Sequence, residues 1–579
     1  MRPTSTSPAT SNLIAFRTRF GPEAATAKLD LLRQLPAHLP RQPKALLDLH
    51  EGLLFIAAYP DNAAVLAAAE AALAAVAHAA AAMIAGRNAA HARRLADTGI
   101  VGTPLSCAFS IDLADWLVRR FPADVDLDWE DGSAGAALDE FLPALAASVE
   151  RDGLIDERLS ALEWMNLALG ANAKRPQTVS RLAWLISAFD RLGPRGELLD
   201  RAFESLDLHI RWHLRDPIGS RTTGRFPARP PHFQSDDLLR SFDVADLLNR
   251  PLPAHRPLPP RAAAALLDVC RATLAVRHRE TDPITYADPR AVYLLRLERG
   301  VDVAVFAMTP RRRLSIESFF GYVATRNRVP MAYGGGWVFF DRCEVGVNIF
   351  DTFRGGESAF VFTQILRVYR HLFQAARFTV DPFQFGAGNP EAIKSGAYWF
   401  YDRLGFRPAQ ADLAALADAE RAKARADRAY RSPAAVLRRL AKSRLELDLP
   451  WADCPPRPDP ALGDLALAVT AWIGREFAGD RVAAERAAIR RVRAALPLPR
   501  RRIDPEASAA FERLALLVAQ IDDLEDWPRA DRLRLAEALL AKGGPSEFDY
   551  AHALRKHARL HAALASVAQR GNAAIKTAH

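Results

Sequence analysis

Cysteine is scarce in this chain: Cys107, Cys270, Cys343 and Cys454 are the only four in 579 residues. They lie far apart and form no C-x-x-C pair. That argues against a disulfide framework or a cysteine-ligated zinc module and fits a reducing compartment. Several catalytic signatures are missing as well. There is no G-x-S-x-G, no Walker A loop and no G-x-G-x-x-G, since GAGNPE at 386–391 lacks the third glycine. The opening MRPTSTSPATSNLIAFRTRF has no apolar run of the signal-peptide kind, so a cytoplasmic protein is expected. One weakly apolar stretch, AAVLAAAEAALAAVAHAAAAMIAG at 63–86, has the length of a membrane span. It is mostly alanine, a strong helix former, and Glu70 and His78 interrupt it. It reads as a buried or half-buried helix, and no membrane partner is expected.

What is present is half apolar and one quarter charged, the profile of a globular protein, and the length suggests about three domains. The formal charge of +9, largely arginine, is a mild excess over this length. It makes nucleic acid an unlikely partner, and a nucleic-acid-associated basic protein is the second alternative reading. The triplets Arg311–Arg313 and Arg500–Arg502 read as solvated, and the aromatic interleaving of a single-strand binder is missing around the second.

Along the chain, residues 1–215 read as a mainly helical region, with Leu53 to Ala58 as a possible strand before the alanine-rich helix. Residues 216–260, rich in Pro, Gly and Arg, read as a linker. Residues 261–410 read as an α/β domain. AVYLLRLERGVDVAVFAM gives two strands around Arg299-Gly300, SIESFFGYVATRNR a helix, and PMAYGGGWVFFDRCEVGVNIFDTF two strands joined near Asp341-Arg342. An amphipathic helix is expected over 358–376, with Phe362, Ile365, Leu366, Tyr369, Leu372 and Phe373 on one face, and a strand at RFTVDPFQF. Residues 411–579 read as a C-terminal helical region, broken by CPPRPDP at 454–460. The fold class is therefore mainly α and multidomain, with a central α/β domain built on a mixed sheet.

The densest aromatic stretch is EAIKSGAYWFYDRLGFRP, residues 391–408. Asn389, Pro390 and Glu391 form a helix start: a capping side chain, proline at the first position and a carboxylate near the positive dipole end. Ile393, Ala397, Phe400 and Leu404 make an apolar stripe, and Gly405 is a natural stop before an extended Phe406. On this pattern alone the aromatics pack a helix onto a sheet.

The order of elements adds a second reading. Strands, the turn FRGGESA, a long helix, another strand and a helix ending in FYDRLGF resemble the GNAT superfamily of N-acetyltransferases over about 290–410. That family's last helix often reads A-x-x-x-Y-x-x-x-G-F, matched here by Ala397, Tyr401, Gly405 and Phe406. Its pyrophosphate-binding turn, [Q/R]-x-x-G-x-[G/A], maps onto Arg354, Gly355, Gly356, Glu357, Ser358 and Ala359. Small residues there let backbone N–H groups approach phosphate at a helix start. The fourth position is Glu357 where the signature has glycine; a carboxylate there must point away or cap the helix if an anion is to bind.

The resemblance implies acetyl-CoA or another acyl-CoA as donor and an amine as acceptor. Arg354, Gly355, Gly356, Ser358 and Ala359 would hold the donor, which would lie between Val347–Asp351 and Phe378–Gln384. Tyr401 would protonate the leaving thiolate. Glu317, Asp351 and Glu357 are base candidates by residue type only. The first alternative is a non-catalytic helical binding or scaffold protein with a degenerate module and a protein partner on its helical regions. No metal is expected. His209 and His213 share a helical face at i, i+4, as do His557 and His561, but neither pair has the glutamate of H-E-x-x-H.

Overall fold

The computed structural model describes residues 8–130, 133–156, 158–170, 179–449, 459–500 and 502–578. The chain is mainly helical, with a three-stranded sheet and a mixed eight-stranded sheet. It divides into two compact units. One comprises Met1–Leu238, Ala265–Thr285 and Arg326–Pro330; the other comprises Leu239–Ala264, Tyr286–Thr325 and Met331–His579.

In the first unit the helix Ala63–Ala85 is long and apolar enough to cross a membrane by length and composition. It packs as a core helix: Val65, Ala69, Leu73, Val76 and Ala80 are buried along one face. Asn62 caps it, accepting from the Val65 N–H at 2.9 Å. Leu53 to Ala58 is not a strand but the buried end of the helix Pro43–Ala58. An unbroken apolar run carries no period that separates the two.

The small sheet contains β1 (Pro104–Ala108), β2 (Val125–Leu127) and β3 (His209–His213), in the order β1-β3-β2. His209 and His213 therefore lie on a strand rather than a helix. Ile210 and Trp212 alternate with them and are fully buried. Residues four apart share a face in a strand as well as in a helix, so the spacing fits both. The segment after β3, read as linker, is tied into this unit. Phe226 is buried and donates its N–H to the Arg328 carbonyl at 3.0 Å, and Gln234 accepts from Arg326 at 2.9 Å.

The large sheet of the second unit uses β4 (Ala287–Arg296), β5 (Val301–Met308), β6 (Ser318–Arg326), β7 (Val329–Phe339), β8 (Arg342–Ile349), β9 (Arg377–Val380), β10 (Arg407–Pro408) and β11 (Leu445–Asp448). Their order is β10-β11-β9-β8-β7-β6-β5-β4. β6 replaces the helix expected from SIESFFGYVATRNR. Phe320, Tyr322, Val323, Ala324 and Thr325 are all buried, so both faces are covered and the alternation of a half-exposed strand is lost. β11 inserts between β9 and β10, so the sheet runs past residue 410, where the sequence reading ends the α/β domain.

Three consecutive glycines lie in the middle of β7. A Cβ on Gly334 would meet the Gly346 carbonyl oxygen, one on Gly335 the Phe319 ring, and one on Gly336 the Tyr369 ring. The glycines let aromatic rings lie flat on the strand. Tyr322 and Tyr369 are anchored there by hydroxyl hydrogen bonds to the carbonyls of Gly346 (2.8 Å) and Phe320 (2.7 Å).

The C-terminal helices belong to the same unit. Arg313, Lys542 and Glu547 are buried together. Arg313 donates to the carbonyls of Lys542 and Gly544, each at 2.8 Å, and Lys542 Nζ lies 2.8 Å from Glu547. Mutual pairing and carbonyl partners offset part of the cost of burying these charges, although Arg313 Nη2 and Glu547 Oε2 have no hydrogen-bond partner among the described residues.

Candidate functional site

The turn from β8 into the helix Ser358–Phe373 is built from Asp351 to Glu357. Its glycines face different surroundings. Gly356 is buried and its N–H closes the turn on the Phe353 carbonyl at 2.8 Å. Gly355 is exposed, and no atom lies within 4 Å of where its Cβ would stand. Arg240 holds the outward carbonyls, donating to Gly356 O at 2.9 Å and Gly355 O at 2.8 Å. Ser358 and Ala359 are half-exposed at the helix start, where first-turn N–H groups have no carbonyl partner within the helix. Arg354 is exposed and pairs with Asp351 at 2.9 Å.

Glu357 is 1% exposed and points inward. Its carboxylate accepts from the Leu239 N–H at 2.9 Å and from Arg299 Nε at 3.2 Å. Arg299 sits at the tip of the β4–β5 hairpin with φ 55°, followed by Gly300 with φ 73°. The left-handed pair turns the chain there and carries the guanidinium to Glu357. The carboxylate at the non-glycine position of the turn is thus neutralised and directed away from the turn's outer surface.

β8 and β9 are parallel, and their register is short: Arg342 opposite Arg377, Cys343 opposite Phe378, Glu344 opposite Thr379. β8 continues to Ile349 while β9 ends at Val380, so the strands part after Glu344. Gln384 reaches into this gap, its Nε2 3.6 Å from the position of a Cβ on Gly346.

Tyr401 lies on the short helix Ala397–Arg403. The continuous helix expected from Pro390 is in fact two, broken at Gly396 with φ 67°. Gly405, with φ 100°, ends the second as expected. The Tyr401 ring meets Phe362 at 5.8 Å, Phe385 at 6.2 Å and Phe406 at 5.8 Å between centroids. Phe362 stands one helical turn beyond Ser358, so one helix carries both the end of the turn and a ring packed on the tyrosine. Burial alone pushes the Tyr401 phenol above its ordinary range, and it also neighbours the phenol of Tyr322.

The three carboxylates singled out as bases are not brought to Tyr401. Glu317 lies 3.6 Å from Arg342, at the paired end of β8, and burial raises its pKa. Asp351 is exposed beside Arg354, and Glu357 is held by Arg299. His557 is spent in the core: Nε2 contacts the Asp531 carbonyl at 3.0 Å and Nδ1 accepts from the Leu560 N–H at 3.1 Å. Among the described residues no group of three His, Cys, Asp or Glu side chains is placed to hold a metal ion.

Arg240, Arg299 and Gln384 were not singled out by the sequence. The two arginines act across long chain separations, and only Gln384, at the end of the Phe378–Gln384 segment, carried a local signal. No protein-family model matches the chain, and no curated protein or solved structure does either.

Proposed function

We propose that the second unit is a GNAT-like acyl-CoA-dependent N-acyltransferase. The observation that carries this reading is the short parallel register of β8 and β9, whose strands part beside a glycine turn that starts a helix. Bound acyl-CoA supplies the thioester. The turn at Arg354, Gly355, Gly356, Ser358 and Ala359 receives its pyrophosphate, with exposed Gly355 leaving room and first-turn N–H groups as donors. Gln384 offers an amide to the donor's arm in the gap. A neutral amine attacks the thioester carbonyl; the C–N bond forms, the C–S bond breaks, and the amine's surplus proton leaves to solvent. Tyr401, kept protonated by burial, gives its proton to the departing thiolate, and its phenolate is reprotonated from solvent before the next turnover. The inward pairing of Glu357 with Arg299 supports the reading, because it removes a carboxylate from the anion's path.

The test is acetyl-CoA calorimetry on wild type and Gly355→Glu. The open space at Gly355 means the variant should fold as wild type does while its side chain blocks the turn. Binding that the variant loses supports the reading, and Tyr401→Phe should then keep binding and lose turnover by about a hundredfold. A folded wild type that binds neither acetyl-CoA nor longer acyl-CoAs sinks it.

One observation favours the non-catalytic alternative. Tyr401 is 3% exposed inside a ring of phenylalanines, as a core residue would be. Under this reading Tyr401→Phe changes stability and nothing else.

A further inference from the structure

After Phe385 the chain turns through Gly386 to Asn389 into the helix Pro390–Ser395. This turn faces the helix Ala434–Leu440 and the residues that follow it, and the two enclose a cleft of about 440 Å³. Ala387, Pro390, Ile393 and Ala441 give the cleft apolar walls, and its only charged lining groups are Arg438 and Lys442. Gly386, with φ 146°, shapes the wall: a Cβ there would meet Ile393 and would stand 3.4 Å from Ala441. Asn389 holds the shape of the turn with both ends of its side-chain amide. Its Oδ1 accepts from the Ala392 N–H at 3.1 Å and its Nδ2 donates to the Phe383 carbonyl at 3.1 Å.

The two cations are uncompensated. From Arg428 to Arg444 the sequence carries Arg428, Arg431, Arg438, Arg439, Lys442 and Arg444 and no carboxylate. Of the flanking acids, Glu420 pairs with Lys423, Glu446 with Arg444 and Arg377, and Asp427 accepts from the Ala429 N–H at 2.8 Å. That leaves Arg438 and Lys442 without an ion-pair partner among the described residues. Arg438 lies on the helix Ala434–Leu440 and Lys442 two residues past the end of that helix, both exposed, and an anion between them would offset their like charges. A guanidinium fork beside an ammonium suits an oxyanion, and the apolar walls suit the body attached to it.

We propose that this cleft binds a small molecule bearing an oxyanion, with Arg438 and Lys442 on the anionic group and Ala387, Pro390, Ile393 and Ala441 against the rest. The proposal does not rest on the acyl-transfer reading: its cations lie on the segment between β10 and β11 and not in the glycine turn.

The experiment is calorimetric titration of the full chain at low ionic strength with inorganic pyrophosphate and, separately, with succinate. Saturable binding of pyrophosphate alone identifies a phosphate-bearing ligand, and of succinate alone or of both a carboxylate-tolerant one. Either should weaken by about tenfold or more in Arg438→Gln/Lys442→Gln, since each charge-assisted contact is worth more than a neutral one. Arg431→Gln removes a cation of the same segment that does not line the cleft and should leave binding unchanged. No saturable binding of either probe by the folded protein, binding that Arg438→Gln/Lys442→Gln leaves intact, or an equal loss in Arg431→Gln overturns the proposal.

Discussion

Gly334–Gly336 on β7 and Gly355 in the turn before Ser358 are the same residue used for opposite purposes. On β7 the surroundings press in: Gly336 would place a Cβ 2.8 Å from Tyr369 Cδ1 and 2.9 Å from Cys343 Sγ, and both neighbours are fully buried. At Gly355 the surroundings are empty, and its φ is not among the positive ones. The first site needs glycine for the fold. The second does not, and the backbone of the turn is left uncovered there.

That contrast is sharpest in stability. Gly336→Ala drives a methyl into the Tyr369 ring, which cannot rotate away because its hydroxyl is fixed on Phe320 O at 2.7 Å. A loss of about 3 kcal/mol is expected, as for overpacking a rigid core. Urea unfolding measures it, and a midpoint equal to wild type would mean that β7 yields and the contrast is false. Glu357→Gln should follow at about 2 kcal/mol, because it leaves Arg299 facing an uncharged partner. The loss is smaller than for a fully enclosed pair because Arg299 keeps 25% of its side-chain surface exposed. A double-mutant cycle with Arg299→Gln isolates the pair; a coupling near zero would show that the inward pose of Glu357 rests on partners other than Arg299, the Leu239 N–H among them.

Much of the second unit was legible in local pattern. The hairpins around Arg299-Gly300 and Asp341-Arg342, the helix from Ser358 and the cap at Asn389 follow from periodicity, turn residues and capping chemistry that neighbours supply. β6 was not legible, because burial on both faces removes the alternation that marks a strand. β11 was not, because a four-residue strand reached through two intervening helices leaves no local trace of its place between β9 and β10. At the candidate site, the turn and Tyr401 could be named from the sequence, but the direction of Glu357 could not. It depends on Arg299, 58 residues earlier, and on a left-handed backbone that brings the guanidinium round. Sequence spacing carries the short-range part of such a site, while the charge balance is set by tertiary contacts.

The smallest effect is the most discriminating. Gly355→Ala adds the same methyl as Gly336→Ala, at a position with nothing within 4 Å to meet it. It also removes a glycine from the unfolded chain, where glycine's conformational freedom costs most on folding. The expected result is therefore between no change and a gain of about 0.5–1 kcal/mol. The substitution is small enough to leave the turn's carbonyls on Arg240, so the native geometry at 2.8 Å and 2.9 Å should persist. A clear loss of stability would show that the turn relies on glycine for its own folding, and the argument from open space would fail with it. A neutral or stabilised Gly355→Ala, set beside a destabilised Gly336→Ala, would leave the exposed glycine with no role in folding and confirm that the two positions use glycine for different reasons.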